Sequence, residues 1–445
     1  MELTGIIDKI ESLLKGRSTD GYEICLSASR NLTIEVRERK VDTFKCSAPV
    51  VVSIRVLKDR AMGFSYSTSL DGSGLTKMID NALASAEIQT PDACNLLPVP
   101  TAYPLLTGLF DEGLALIDER VKIERALELE RLVLATDPRI KRVRKASYGE
   151  SVYEGHIRNS LGVEGSYRDT SVTGSVSAIA EEGNDSQLGW DFGFSNYFAG
   201  VDVTTIAAAA AAKATGLLGA RKIPTMRCPA VLDNRVAGEI LEVLSQAFLA
   251  ENVQKGKSLL AGRMGEDIFS AQLRIRDDGT LPGGMGTAPF DAEGVGQRNT
   301  VLVEEGRLTG FLYDTYCACK GGTESTGNAT RGSSKNPPRM GVTNFFIENG
   351  AVPLAALIKG VDRGVLITEV MGIHTANPIS GDFSVGATGF LIEQGTVTMP
   401  VKGITIAGNI LDIFRNVEMA GNDLRFFGAV GSPSLKIAEL DVGGE

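Results

Sequence analysis

At 445 residues the chain exceeds what one hydrophobic core organises, so two or three domains are expected. A hydrophobic content of 43% with 22% charged residues is that of a globular protein, and a formal net charge of −10 argues against binding to nucleic-acid backbones. The 51 glycines point to many turns and hairpins rather than to a helical bundle.

The opening MELTGIIDKIESLLKG spreads charges through an amphipathic pattern and contains no signal-type apolar block, so it predicts a helix over 2–15. Four strand-like runs follow: YEICLSA, LTIEVRERKV, VVVSIRV and AMGFSYS. The helix SGLTKMIDNALASAEI closes this first lobe. The proline-rich QTPDACNLLPVPTAYP then reads as a linker or an ordered strap. Beyond it the order recurs. DERVKIERALELERLVLA (118–135) predicts a helix, strand-like runs fall near 141–148, 151–158, 163–181 and 186–195, and TTIAAAAAAKATGLL predicts a second helix. The basic run RIKRVRK (139–145) reads as the exposed face of a strand. The fold expected is therefore α+β, with two helix–four-strand–helix lobes at 1–95 and 112–222 and a β-rich domain at 226–445.

That last domain begins with the helix DNRVAGEILEVLSQAF (233–248). Val236, Ile240, Val243, Leu244, Ala247 and Phe248 form one apolar stripe, while Glu242 lies roughly 120° off it and Gln246 near its border. Glycine-punctuated β structure follows. Three similar tips stand out: LVEEG (302–306), FIENG (346–350) and LIEQG (391–395). Where alternating strands flank them, as at the first and third, they read as hairpin turns.

The candidate chemistry is sparse. The chain has two histidines, His156 and His374, and a zinc site built from protein ligands alone usually needs three or four. Cys317 and Cys319 have no second pair nearby; on an alternating strand both would face one side as small apolar groups. There is no G-x-S-x-G elbow. His374, with Asn377, Ser380 and Asp382 close behind it, is either a polar loop holding itself together or part of a metal-independent hydrolytic site. His156 reads as a strand-to-turn residue. The loop DGTLPGGMGTAPFDAEG, with Gly283, Gly284 and Gly286, lacks the lysine and the strand–helix setting of a phosphate loop. Such glycines equally allow an extended peptide to approach a sheet edge. Cys25, Cys46, Cys94, Cys228, Cys317 and Cys319 show no disulfide framework, which together with the absent leader and membrane span suggests a cytoplasmic protein with reduced thiols.

Read together, KGKSLLAGRMGEDI (255–268), LPGGMGTAPFDAEGV (281–295), GFLYDTYCACKGGTESTGNATRG (310–332), GDFSVGATGFLIEQG (381–395) and ITIAGNILDIFRNVEMAGND (404–423) resemble the PmbA/TldD family. Members of that family have been called modulators of DNA gyrase. Its TldD branch is a zinc-dependent protease acting on unfolded or extended peptides, and TldD and PmbA (TldE) types pair as heterodimers. The TldD branch carries H-E-x-x-x-H on the helix upstream of the segment resembling KGKSLLAGRMGE. Counting back without a gap places the two histidines at Leu241 and Gln246, and the glutamate at Glu242. The branch's C-terminal cysteine ligand has no counterpart in 422–440. The resemblance thus implies a PmbA/TldE-type chain without zinc of its own. It would complete a peptide-binding chamber with a zinc-bearing TldD-type partner, or form a homodimer in isolation. In that chamber Gly283, Gly284, Gly286, His374 and Asp382 are candidate peptide contacts, and Glu242 and His374 the only catalytic candidates. The alternatives are an autonomous metal-independent hydrolase using His374 and a regulatory partner of gyrase.

Overall fold

A computed structural model describes residues 3–445. The first lobe runs α1 (Leu3–Leu14), β1 (Gly21–Arg37), β2 (Lys40–Ser47), β3 (Val50–Lys58), β4 (Ala61–Ser67) and α2 (Gly72–Glu87). The second runs α3 (Glu119–Thr136), β5 (Ile140–Asn159), β6 (Glu164–Glu182), β7 (Asp185–Ser195) and α4 (Val203–Gly216). Three strands stand where four runs were expected in the second lobe, because the first two fuse into the 20-residue β5. The same happens at the start of the chain: β1 runs unbroken through Ser29, Arg30 and Asn31, which separate the runs YEICLSA and LTIEVRERKV. In both cases the ladder decides, since β1 and β5 pair antiparallel without a break from Glu23–Asn159 to Val36–Ala146. The two lobes therefore share one seven-stranded sheet in the order β4-β3-β1-β5-β6-β7, with β2 also paired to β1.

The helices cover one face of this sheet as two separate clusters. One buries Ile6, Ile10, Ile24, Ile54 and Leu75, and the other Leu129, Tyr148, Val176, Ile206 and Ala210. Each lobe's last strand carries a glycine beneath its helix. A Cβ on Gly63 would lie 1.9 Å from the Ala82 carbonyl oxygen, and one on Gly189 would lie 2.2 Å from that of Ala210. Only glycine permits such an approach, and the alanine run of α4 is the complementary half of the contact.

The third domain comprises β8 (Met226–Leu232), α5 (Asn234–Ser245), α6 (Ala250–Gln254), β9 (Ile275–Asp278), β10 (Asn299–Glu304), β11 (Arg307–Leu308), α7 (Thr315–Gly321), β12 (Ala329–Thr330), β13 (Arg339–Met340) and β14 (Phe345–Ile347). It continues through α8 (Leu354–Lys359), β15 (Arg363–Met371), β16 (Asp382–Glu393), β17 (Thr396–Asn409), α9 (Ile410–Arg415), β18 (Val417–Ala420), β19 (Arg425–Phe427), β20 (Val430–Ser432) and β21 (Leu435–Gly443). Two six-stranded sheets form, β11-β10-β9-β14-β20-β19 and β17-β16-β15-β8-β21-β18, and a β17–β21 pairing folds the second back on itself. Core residues of α5 join those of both sheets in one apolar cluster.

Two of the three glycine tips are hairpin turns, with left-handed Glu305–Gly306 between β10 and β11 and Gln394–Gly395 between β16 and β17. FIENG is not a hairpin: β14 lies between β9 and β20, both distant in sequence, and the chain runs on without a return strand.

Residues 88–113 form an ordered strap from the first lobe across to the third domain. Gly296 N–H donates to Thr101 Oγ1 at 2.8 Å, and Tyr103 Oη donates to the Gly294 carbonyl at 3.1 Å. Asp92 accepts from Tyr316 Oη at 2.9 Å and pairs with Lys320 at 3.3 Å. Here the expectation of reduced thiols needs correction. Cys94 on the strap and Cys319 on α7, with Cα atoms 5.5 Å apart, form a disulfide, while Cys25, Cys46, Cys228 and Cys317 are free. The strap brings together two cysteines 225 positions apart, a pairing no local spacing reveals. Because the closed loop is long, Cys94→Ser should lower stability by about 2–4 kcal/mol. Urea unfolding checks this: the deficit should vanish when both proteins carry excess dithiothreitol, and equal stability without reductant would refute it.

Candidate functional site

The helix α5 is set by its cap. Asp233 Oδ1 accepts from Val236 N–H at 2.8 Å, and burial pushes the Asp233 carboxyl up to about 7. The helix lies in a core shared with both sheets, so more than the expected stripe is covered. Val236, Ile240, Leu244, Ala247 and Phe248 are buried as anticipated, but Val243 is only half-buried and Leu241 is completely buried. Glu242 and Gln246 are exposed. Gln246 opens the 3-10 turn Gln246–Phe248, and its carbonyl accepts from Asn252 Nδ2 at 2.7 Å.

These residues do not fit a zinc ion. Position 241 carries an alkyl group turned into the core, an amide is a poor substitute for imidazole, and among the described residues no three His, Cys, Asp or Glu side chains converge as ligands would.

His374 sits on a 3-10 turn, Ile373–Thr375, that follows left-handed Gly372 and lies against α5. Ile373 packs on the core while the imidazole of His374 is exposed. The polar groups behind it bond to one another. Asn377 Oδ1 accepts from the N–H of Ile379 (2.9 Å) and Ser380 (3.2 Å). Asp382 accepts from Asn409 Nδ2 at 3.0 Å; that bond and one from Ser380 hold its carboxyl below the usual range. His156 lies within β5, with Nε2 2.7 Å from Glu154 Oε1. The Cys317–Cys319 pair is on α7, not on a strand. Asp314 caps that helix and left-handed Gly322 ends it, and burial beside Asp314 pushes the Cys317 thiol up to about 12.

The glycine loop is anchored on Asn344. Gly286 N–H donates to Asn344 Oδ1 at 2.9 Å, and Asn344 Nδ2 donates to the Asp278 carbonyl at 2.7 Å. A Cβ on Gly286 would lie 2.3 Å from the Thr343 carbonyl oxygen, so tight packing accounts for that glycine. Gly283 is exposed and left-handed. The loop divides two clefts between the large sheet and the third domain. One, of about 730 Å³, is lined by Gly283 and Gly284 with Phe192, Phe194, Arg425 and Phe426. The other, of about 530 Å³, is lined by Met285 and Gly286 with Tyr153, Tyr167, Asp169 and Phe290. Glu242, His374 and Asp382 line neither of these clefts.

A buried ionic cluster, invisible to the sequence reading, fixes the wall between sheet and domain. Arg55 on β3 bonds Glu23 on β1 through Nε at 3.0 Å and Glu293 at 2.8 Å, and Arg331 reaches Glu23 at 2.6 Å. Burial pushes Glu293 up, but Arg55 and the Thr315 bonds outweigh it and hold the group below its ordinary value. Neighbouring Asp291 is raised to about 7 by burial and by Glu293, and it accepts the N–H groups of Glu293, Val295 and Ala329. The segments carrying Asp291, Glu293 and Arg331 belong to the family-like stretches 281–295 and 310–332, but nothing in them pointed to an ionic cluster with Glu23 and Arg55.

The chain matches the PmbA/TldA metallopeptidase domain 1 over 22–86, the central domain over 113–218 and the C-terminal domain over 225–444. It is 28% identical to metalloprotease PmbA of Escherichia coli O157:H7 over 97% of this chain and 94% of the relative. A crystal structure from Thermotoga maritima, a proposed modulator of a DNA gyrase, superposes with a TM-score of 0.91 at 27% identity, covering 99% of this chain and 100% of the other. TldE from Thermococcus kodakarensis superposes with a TM-score of 0.90 at 26% identity, covering 98% and 100%.

Proposed function

The chain belongs to the PmbA/TldD metallopeptidase family, and we propose that within it this protein is the noncatalytic TldE-type subunit of a protease for unfolded or extended peptides. In this reading a TldD-type partner supplies the zinc centre, and this chain completes the chamber that receives the peptide. The observation that carries the proposal is Leu241. At the first position of the family's metal motif it is not merely a non-ligand but a core residue, completely buried. Without an adjacent ion, Glu242 has no metal-bound water to deprotonate. The clefts on either side of the glycine loop, walled by aromatic rings, suit an extended chain better than a compact substrate.

The test is co-purification with a TldD-type homologue, with zinc measured in each subunit and cleavage of an unfolded peptide followed. Zinc is expected only with the partner, and cleavage only in the mixture. Glu242→Gln should leave at least half of the mixture's activity and change stability by no more than about 0.5 kcal/mol, as for an exposed site. Chelator-insensitive cleavage by this chain alone would replace the proposal with the autonomous hydrolase, and His374→Ala would then be the decisive variant. Loss of cleavage with Glu242→Gln in a complex that still assembles would make that carboxylate a working group.

A further inference from the structure

The smaller cleft has a chemistry of its own. Tyr153 on β5 faces Asp169 directly across the β5–β6 ladder, and Tyr167 stands two residues before Asp169 on the same face. Phe290, from the loop after the glycines, closes the third side. The Tyr153 and Tyr167 ring centroids are 5.5 Å apart, and Tyr167 meets Phe290 at 5.2 Å with their planes at 88°. Two glycines make the arrangement possible. A Cβ on Gly155 would lie 2.7 Å from Tyr153 Oη, and one on Gly165 would lie 2.6 Å from Phe290 Cε1. All three rings line the cleft, and aromatic side chains are the apolar groups that best tolerate a neighbouring cation.

The charges point the same way. Asp169 accepts from Asn196 Nδ2 at 2.9 Å, and the Thr170 backbone also lies against its carboxyl. No cationic side chain pairs with it among those residues, and burial raises its carboxyl to about 6. Arg331 on the wall is neutralised by Glu23 and also donates to the carbonyls of Ala292 and Asn336, and His156, which also lines the cleft, sits 2.7 Å from Glu154. The cleft thus combines an uncompensated carboxylate with three aromatic rings, and Met285 lies at its exposed rim.

We propose that this cleft is a receptor for a primary ammonium group carried by a peptide, with Asp169 as counter-ion and Tyr153, Tyr167 and Phe290 as the surrounding cage. It rests on the reading that peptides enter this face of the protein, and it adds what they must present there. Two sources share the chemistry: a free amino terminus and a lysine side chain.

The experiment is calorimetric titration of the full-length chain with four short peptides. Ala-Ala-Ala-amide and acetyl-Ala-Lys-Ala-amide each carry one ammonium group, at the terminus and on the side chain respectively. Acetyl-Ala-Ala-Ala-amide and acetyl-Ala-norleucine-Ala-amide are their neutral counterparts. At least one ammonium peptide should bind tenfold or more tightly than its counterpart, and which one does so names the source. Asp169→Asn, which keeps an acceptor for Asn196, should erase the difference without altering the unfolding temperature. Met285→Lys, at an exposed rim position, should weaken ammonium binding at least fivefold and provides a second test that leaves the interior intact. Equal binding of charged and neutral peptides, no binding by any of them, or discrimination that survives Asp169→Asn would each overturn the proposal. Because the titration needs no partner, its failure is separable from failure of the chamber reading, which would appear as absent cleavage in the two-subunit mixture.

Discussion

Arg55→Met should lower the stability of the folded chain by about 3–5 kcal/mol, the cost of breaking a buried ion pair by removing one partner. The side chains of Arg55, Glu23, Glu293 and Arg331 are 4%, 1%, 5% and 7% exposed, so water cannot take over the role of any one of them. In the native cluster two guanidinium groups face two carboxylates. Methionine fills part of the volume but leaves Arg331 alone with two buried anions, and Glu293 then has no cation. A second substitution separates this charge effect from lost packing. With Glu293→Gln added, Arg331 and Glu23 remain as a matched pair, and at least about 1 kcal/mol of the loss should return, as expected for coupled neighbours. Urea denaturation of the two single variants and the double variant checks the cycle. Additive losses would mean that the cluster does not act as a unit. The cluster ties β1 and β3 to the loop at 291–295 and to Arg331, so the same variants should also loosen the sheet from the third domain and speed proteolysis of the strap.

How much of this was legible in the sequence depended on how local the signal was. Helices α1 to α4 were, because their apolar faces recur at helical spacing and aspartates cap α2, α3 and α4. The full length of β1 and β5 was not. Ser29, Arg30 and Asn31 carry turn propensity, yet each is paired with β5, and the ladder overrode it. Helix α7 was missed although Asp314 and Gly322 are ordinary cap signals, because seven residues with cysteines at alternate positions match a short strand equally well. The disulfide, the ionic cluster and the aromatic cleft lay beyond local reading for one reason. Their members come from β1, β3, β5, β6, the strap, helix α7 and loops more than a hundred residues further on, and only the folded sheet brings them together. Leu241 shows a subtler limit. The resemblance implied a motif position there, but only the sheets packed around α5 reveal that Leu241 belongs to the core.

That burial gives the second large effect. Placing histidines at the two positions the resemblance implies for the motif, by Leu241→His with Gln246→His, should not create a zinc centre. The site at 241 is enclosed by the apolar cluster shared with both sheets, so the new imidazole would lie among alkyl and aromatic groups where no solvent reaches. Losing a fully buried leucine side chain costs about 2–5 kcal/mol on truncation, and an unpartnered polar ring in its place adds a desolvation penalty of about 1–3 kcal/mol, partly offset because the ring fills the space. A net loss of about 3–5 kcal/mol is expected. Gln246→His alone, at an exposed position, should stay within about 0.5 kcal/mol of the parent. Elemental analysis of the double variant should find far less than one zinc per chain, and chemical denaturation should show nearly all of the destabilisation arising at 241. One tightly held zinc per chain in a protein of parental stability would show that α5 can turn its first motif position outward. The reading of Leu241 as a core residue that excludes catalysis would then fail, and the proposal of a noncatalytic subunit would rest on side-chain identity alone.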